Sequence, residues 1–217
     1  MDQKKLDQQS QHWEASFSNK PVMFGFSPSI AAVKALKKFK EENITNIIEL
    51  GAGLGRDTIY FAQNSIYVEA LDYSPSAIKK INQKTKELNL SKFIKTRLYD
   101  VRKKLPFDNE EFQGCFSHML YCMALSNSDL ENLNDEIYRV LMVGGINIYT
   151  VRHINDQDYK NGIHRGEELY ENDGFIVHFF SKEKIKKISK GFKVLNIENF
   201  EEGKFPRKLF FVEIKKI

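Results

Sequence analysis

One short stretch constrains this chain more than any other, the run IIELGAGLGRDT at residues 47–58. Ile44, Ile47, Ile48 and Leu50 make a compact, β-branched-rich run of the kind that forms a strand buried on both faces. Gly51, Gly53 and Gly55 then punctuate a turn, and a helix opens at Arg56. Glycine lacks a Cβ and tolerates positive φ, so this clustering predicts a loop pressed closely against a bulky ligand. The free N–H groups of the helix that follows face the same side. Strand, glycine turn and helix together predict a nucleotide cradle. A dinucleotide fingerprint asks for G-x-G-x-x-G, and Arg56 stands where its last glycine belongs. The spacing therefore argues against NAD, which leaves an NAD-dependent oxidoreductase as the weaker alternative.

Glu49 followed by Gly51, Gly53 and Gly55 resembles the first motif of the class I S-adenosylmethionine-dependent methyltransferases, in which a strand ends on an acidic residue before G-x-G-x-G. The resemblance extends to Asp72 in EALDYS, at the family's ribose-binding acid, and to Asp100 in LYDV, at its residue near the adenine amino group. It implies an α/β, Rossmann-like three-layer sandwich with a seven-stranded, mostly parallel sheet whose last strand is antiparallel. It also implies S-adenosylmethionine as cofactor, held by Glu49, Gly51, Ala52, Gly53, Gly55, Asp72, Tyr73, Asp100, Val101 and Ser117. Spacing speaks for Asp72 independently, because a ribose-binding acid stands about 20 residues past the glycines in βαβ nucleotide sites. The plainer reading of Asp72 is a strand-end carboxylate that caps a turn. Asp57, in the first helical turn, is either a cap or a cofactor contact.

Beyond the cradle, helical periodicity alternates with strand-like runs, the signature of βαβ units. Ile30, Val33, Leu36 and Phe39 mark a helix before the first strand; Ser74 and Pro75 start another whose buried face carries Ile78, Ile81, Thr85 and Leu88. A third strand ends just before Asp100, a fourth spans residues 112–120, and a fifth spans 146–151. A helix carrying Leu130, Leu133, Ile137 and Leu141 separates the last two and ends before Gly144 and Gly145. FIVHFF, a helix from Ser181, and the runs FKVLNI and KLFFVEI close the chain, the final two as an antiparallel hairpin.

At 217 residues the expectation is one domain, 1–217. Charged residues at 29% and hydrophobic residues at 41% exclude a disordered or fibrous chain. No apolar run approaches the roughly 18 to 20 residues of a membrane span, and the N-terminus lacks a secretion signal, so a cytoplasmic location is expected. Cys115 and Cys122 form no C-x-x-C pair and read as reduced, packed thiols. Lysines and arginines are scattered without a long basic block interleaved with aromatics, which disfavours a nucleic-acid partner.

Methyl transfer from a sulfonium needs alignment and water exclusion more than a catalytic triad. At the fourth-strand end, methyltransferases of base or glutamine amino groups usually carry a (D/N)-P-P-(Y/F) motif, and this chain has Ser117, His118, Met119 and Leu120 instead. A small-molecule acceptor is the expectation that remains. His118 and His153 are the candidate general bases, with a packed strand-end histidine as the plain alternative. Two segments look like covers for the pocket: residues 12–29, rich in aromatics and part of a 1–29 lid, and residues 151–180, read as a long polar substrate loop. Trp13, Tyr121, Arg152, Tyr159, His164 and Arg165 are the candidate substrate contacts. The loop's Arg152, His153, Tyr159, His164, Arg165 and His178 form a largely basic set suited to an anionic or oxyanion substrate, with a solvated surface loop as the plain alternative. The loop also looks like the corresponding region of the tellurite-resistance and thiopurine methyltransferase-like groups. His153, His164 and His178 lack the close spacing of metal ligands. A non-catalytic S-adenosylmethionine-binding sensor or partner subunit would carry the same motifs.

Overall fold

The structure, a computed structural model, describes residues 3–203 and 207–217. Two short helices, α1 (Gln3–Asp7) and α2 (Gln9–Asn19), precede α3 (Ile30–Glu41), whose first turn is capped by the Ser29 hydroxyl accepting from the Ala32 N–H. The glycine run then behaves as its composition dictates. β1 (Asn46–Leu50) ends at Gly51, the loop turns through three glycines with positive φ, and α4 (Arg56–Gln63) starts from Gly55. β2 (Tyr67–Asp72) delivers Asp72 to the same edge, and α5 (Pro75–Glu87) follows with Ser74 as its cap. β3 (Ile94–Leu98), β4 (Phe112–Ser117), α6 (Asn127–Val140) and β5 (Leu141–His153) complete the parallel part.

β3, β2, β1, β4 and β5 run side by side and parallel in that order. Later come α7 (Lys182–Ile188), β9 (Phe192–Glu202) and β10 (Arg207–Lys216). β10 lies antiparallel between β5 and β9, so the last strand is reversed as expected. The sheet has ten described strands rather than the expected seven, because residues 163–180 add three that join it through β5. Adjacent residues of the inner strands face opposite sides. Ile48 and Cys115 join the core beneath α6 and α7, while Ile47 and Phe116 join the core beneath α3 and α4. Burial on both faces explains why these strands read as continuous apolar runs.

Three features depart from the sequence reading. β4 stops at Ser117, where the chain turns through Met119 at φ 67°, so residues 118–120 are not strand. The helix before β5 ends at Val140, and β5 begins directly at Leu141, because Gly144 and Gly145 sit in an irregularity of its pairing with β4. Residues 151–180 are not an open loop. They fold as an antiparallel meander of β6 (Ile163–Gly166), β7 (Leu169–Asn172) and β8 (Phe175–Phe180). β10 occupies one edge of β5 as far as Arg152, and β4 leaves the other edge at Tyr149. β8 pairs with β5 at Arg152 and His153, where β4 has ended, so the meander rises beyond the carboxyl end of β4.

Gly55 shows how tightly the loop is built. Its φ is +78°, and a Cβ there would lie 2.6 Å from Ile81 Cγ1 on α5. Gly55→Ala is expected to destabilise the fold by about 2–4 kcal/mol, read as a lower urea midpoint, from left-handed strain and overpacking together.

Candidate functional site

A cavity of about 520 Å³ opens at the carboxyl ends of the parallel strands, where ligands of open α/β sheets bind. Of the residues singled out from sequence, Trp13, Glu49, Gly51, Ala52, Gly53, Asp72, Tyr73, Val101, His118 and Arg152 stand on its wall. Asp72 is 6% exposed. Its Oδ2 accepts from the Gly53 N–H at 2.8 Å and its Oδ1 from the Ser74 N–H at 2.9 Å, so the carboxylate locks the glycine loop to the start of α5. Burial raises Asp72 to about 6, against these backbone donors, which favour the charge. Glu49 is deeper still. Burial and the neighbouring Asp57 push its carboxyl well above the ordinary range, and Thr58 Oγ1 donates to it at 2.6 Å.

The helical N-terminal segment closes one side. Glu14 on α2 accepts from the Ser74 hydroxyl, from Ser76 N–H at 3.1 Å and from Ser76 Oγ at 2.5 Å, which ties α2 to the first turn of α5. At its other end, Gln9 donates to the Gly174 carbonyl at 2.9 Å and accepts from the Ile176 N–H at 3.1 Å. Trp13 and Phe17 thereby line the cavity, with Met23, Phe24 and Gly25 from the following turn. Asp57 accepts from the Ser29 N–H and hydroxyl at 2.7 and 2.8 Å, so it anchors the start of α3 as well as lining the cavity.

Eight of the candidate residues lie off the cavity wall, for visible reasons. Gly55 is roofed by Ile81. Asp100 is clamped by Arg102, through Nε at 3.0 Å and Nη2 at 2.7 Å; burial would raise it, but this partner holds it below its usual range. Ser117 is fully buried within the sheet, its hydroxyl without a partner among the described residues. Tyr121 stacks on Tyr149 at 4.2 Å in the core and accepts from Asn147 at 3.0 Å. His153 stacks on Phe210, and its Nδ1 accepts from the Asn155 N–H at 2.7 Å. Tyr159 donates to Glu168 at 2.6 Å, His164 is exposed beside the Glu167 carbonyl, and Arg165 is paired with Glu171.

The basic substrate loop therefore becomes a set of neutralised pairs. Arg152 remains on the wall, yet its Nη2 is held by Asp156 and by Asp158 at 2.7 Å. Composition showed the cations but not their partners. Sequence reasoning also missed the meander's apolar wall of Tyr170, Phe175, Val177 and Phe179, and the carboxylate Glu202 at the end of β9. Glu202 accepts from His118 Nε2 at 3.1 Å, while His118 Nδ1 meets Thr150 Oγ1 at 3.0 Å. Among the described residues, no group of three or more His, Cys, Asp or Glu is arranged to hold a metal. Nor, among the described residues, is any helix long and apolar enough to cross a membrane.

Residues 47–145 match the methyltransferase domain family. The chain is similar to phosphoethanolamine N-methyltransferase 3 of Arabidopsis thaliana, 34% identical over 102 residues that cover 46% of this chain and 20% of that protein. The match thus spans about a fifth of that relative's length. Among solved structures, the chain resembles the 1,6-didemethyltoxoflavin-N1-methyltransferase of Burkholderia thailandensis, solved with S-adenosylhomocysteine, at a TM-score of 0.75 and 14% identity over 95% of this chain and 86% of that one. It also resembles the cyclase SpnF, at a TM-score of 0.73 and 14% identity over 97% and 96% of the two chains. Residues 47–145 match a methyltransferase domain, and the chain around them has the fold of solved S-adenosylmethionine-dependent methyltransferases.

Proposed function

We propose that the chain is one methyltransferase domain that transfers a methyl group from S-adenosylmethionine to a small-molecule acceptor bound in the same cavity. The observation that carries this reading is Asp72, a cavity-lining carboxylate at the end of β2 held by the Gly53 N–H. Each of its oxygens accepts one backbone hydrogen bond and retains lone-pair capacity, which suits the two hydroxyls of a ribose. The cradle fits as well. Gly53, at φ +53°, has Phe17 as the nearest heavy atom to a would-be Cβ, at 3.6 Å, so the loop's backbone faces the cavity under a single aromatic ring. Tyr73, Tyr99 and Val101 line the same wall and suit a purine, and Asp57 supplies negative charge for an ammonium or sulfonium.

When bound, S-adenosylmethionine supplies an electrophilic methyl group on a positively charged sulfur. The chain's part is to align the acceptor and exclude water. Trp13, Phe175, Val177 and Phe179 form an apolar wall for that purpose. The relatives named above are called methyltransferases of phosphoethanolamine and of 1,6-didemethyltoxoflavin, which supports a small acceptor for this chain. SpnF, named a cyclase, shows that this fold alone does not determine the reaction.

Calorimetric titration with S-adenosylmethionine, S-adenosylhomocysteine and NADH tests the reading. Micromolar binding of both sulfur compounds and none of NADH is expected. Failure of both sulfur compounds to bind overturns it. Binding without S-adenosylhomocysteine release across an acceptor screen points instead to a sensor.

A further inference from the structure

His118 has the position of a general base and lacks the free nitrogen. Thr150 Oγ1 accepts from the Met119 N–H at 2.9 Å, which leaves its hydroxyl hydrogen for His118 Nδ1. The ring proton then sits on Nε2 and points at Glu202 Oε2, 3.1 Å away, an assignment made from this network. Both ring nitrogens are committed. Glu202 is differently placed. Its Oε2 accepts from His118 and its Oε1 from the Ile30 N–H at 3.3 Å, with Arg56 Nη2 3.6 Å away, so each oxygen keeps a lone pair. His118 and Glu202 both line the cavity. His118 is the first residue past β4, the strand beside β1 and its glycine loop, and the pair stands between that loop and the meander.

We infer that Glu202, positioned by His118, is the carboxylate that takes the acceptor's proton, and that the acceptor is a neutral N–H or O–H compound. This rests on the methyltransferase reading above. A lone pair on the acceptor nitrogen or oxygen forms the bond to the methyl carbon, the carbon–sulfur bond breaks with its electron pair left on sulfur, and the acceptor's proton passes to a Glu202 oxygen. Charge developing on the acceptor as the methyl arrives makes that proton strongly acidic, so a carboxylate is base enough. Burial would raise Glu202, but the hydrogen bond from His118 and the charge of Arg56 hold it below the ordinary range. It is ionised at neutral pH and ready to accept. Arg207 is its cross-strand partner on β10, and Asp57 adjoins Arg56 at 3.7 Å; these complete the charges around it. The neutralised cations of the meander agree with an uncharged acceptor.

The test uses the full chain with methyl-labelled S-adenosylmethionine and two matched probes. Para-cresol must lose a proton on methylation, whereas para-toluenethiol is largely thiolate at mildly alkaline pH. In Glu202→Gln, kcat for para-cresol is expected to fall at least about 100-fold, with the thiol rate and S-adenosylhomocysteine affinity unchanged. Glu202→Asp should recover part of the loss, and a melting curve for each variant checks folding. A readout independent of turnover is the absorbance of para-nitrophenol bound beside S-adenosylhomocysteine. The Glu202 charge should raise the apparent pKa of that phenol above its value in water, and Glu202→Gln should remove the rise. An unchanged para-cresol rate in Glu202→Gln, methylation of the thiol alone, or no rise for bound para-nitrophenol overturns the assignment. Absence of any para-cresol turnover by protein that binds S-adenosylmethionine also overturns it, whereas absence of cofactor binding fails the methyltransferase reading itself.

Discussion

Asp72→Ala is expected to weaken S-adenosylmethionine binding by at least about 100-fold in calorimetry, equivalent to about 3 kcal/mol. Two hydrogen bonds to a charged group would be lost. The Gly53 N–H would also lose its acceptor, so the glycine loop itself would loosen. Asp72→Asn keeps an acceptor oxygen for Gly53 and should lose less. A pH series separates the charge from the shape. Because burial raises Asp72 to about 6, cofactor affinity should be level above that pH and fall by up to about tenfold per pH unit below it, as the carboxylate protonates. For folding the sign is opposite. A carboxyl raised above its ordinary value of 3.8 costs stability at neutral pH, and the cost is relieved as pH falls through about 6. Unchanged affinity in Asp72→Ala would remove the ribose contact from this residue.

The largest effect on stability is expected at Asp156, which touches no ligand in this account. Asp156 is 4% exposed and receives Arg152 Nη2, the Asp158 N–H at 2.9 Å and the Lys208 N–H at 2.6 Å. One carboxylate thus joins the end of β5, the turn after it and the start of β10. Asp156→Ala leaves the buried Arg152 with only Asp158 and strips two backbone donors of their acceptor. Breaking a buried pair by removing one partner costs about 3–5 kcal/mol, which corresponds to a fall in Tm of roughly 10 °C for a chain of this size. Differential scanning calorimetry checks it. A change in Tm of only a degree or two would mean that Asp158 and water replace the lost carboxylate.

The cradle was legible in the sequence because its parts are local. Glu49, the three glycines and Asp72 follow each other in one βαβ unit, and the distance between them is set by one helix. The reversed final strand was legible for a similar reason, since two adjacent apolar runs without a helix between them can only return antiparallel. The acceptor side was not. β6 and β7 are four-residue strands with mixed burial, too short to show a period of two against the polar background. Composition counted Arg152 and Arg165 as free cations, and only the fold brings Asp156 and Glu171 onto them. Glu202 had no signal at all, because its meaning comes from His118, just past a strand far away in the chain.

The tie between Glu14 and Ser74 and the tie between Gln9 and Gly174 sit on the same helix, one facing the cofactor side and the other the acceptor side. α2 is therefore a single latch with two catches. Under the proposed methyltransferase reading, lifting it to let one ligand leave would also free the wall that confines the other, so exchange of cofactor and departure of product would share one opening event.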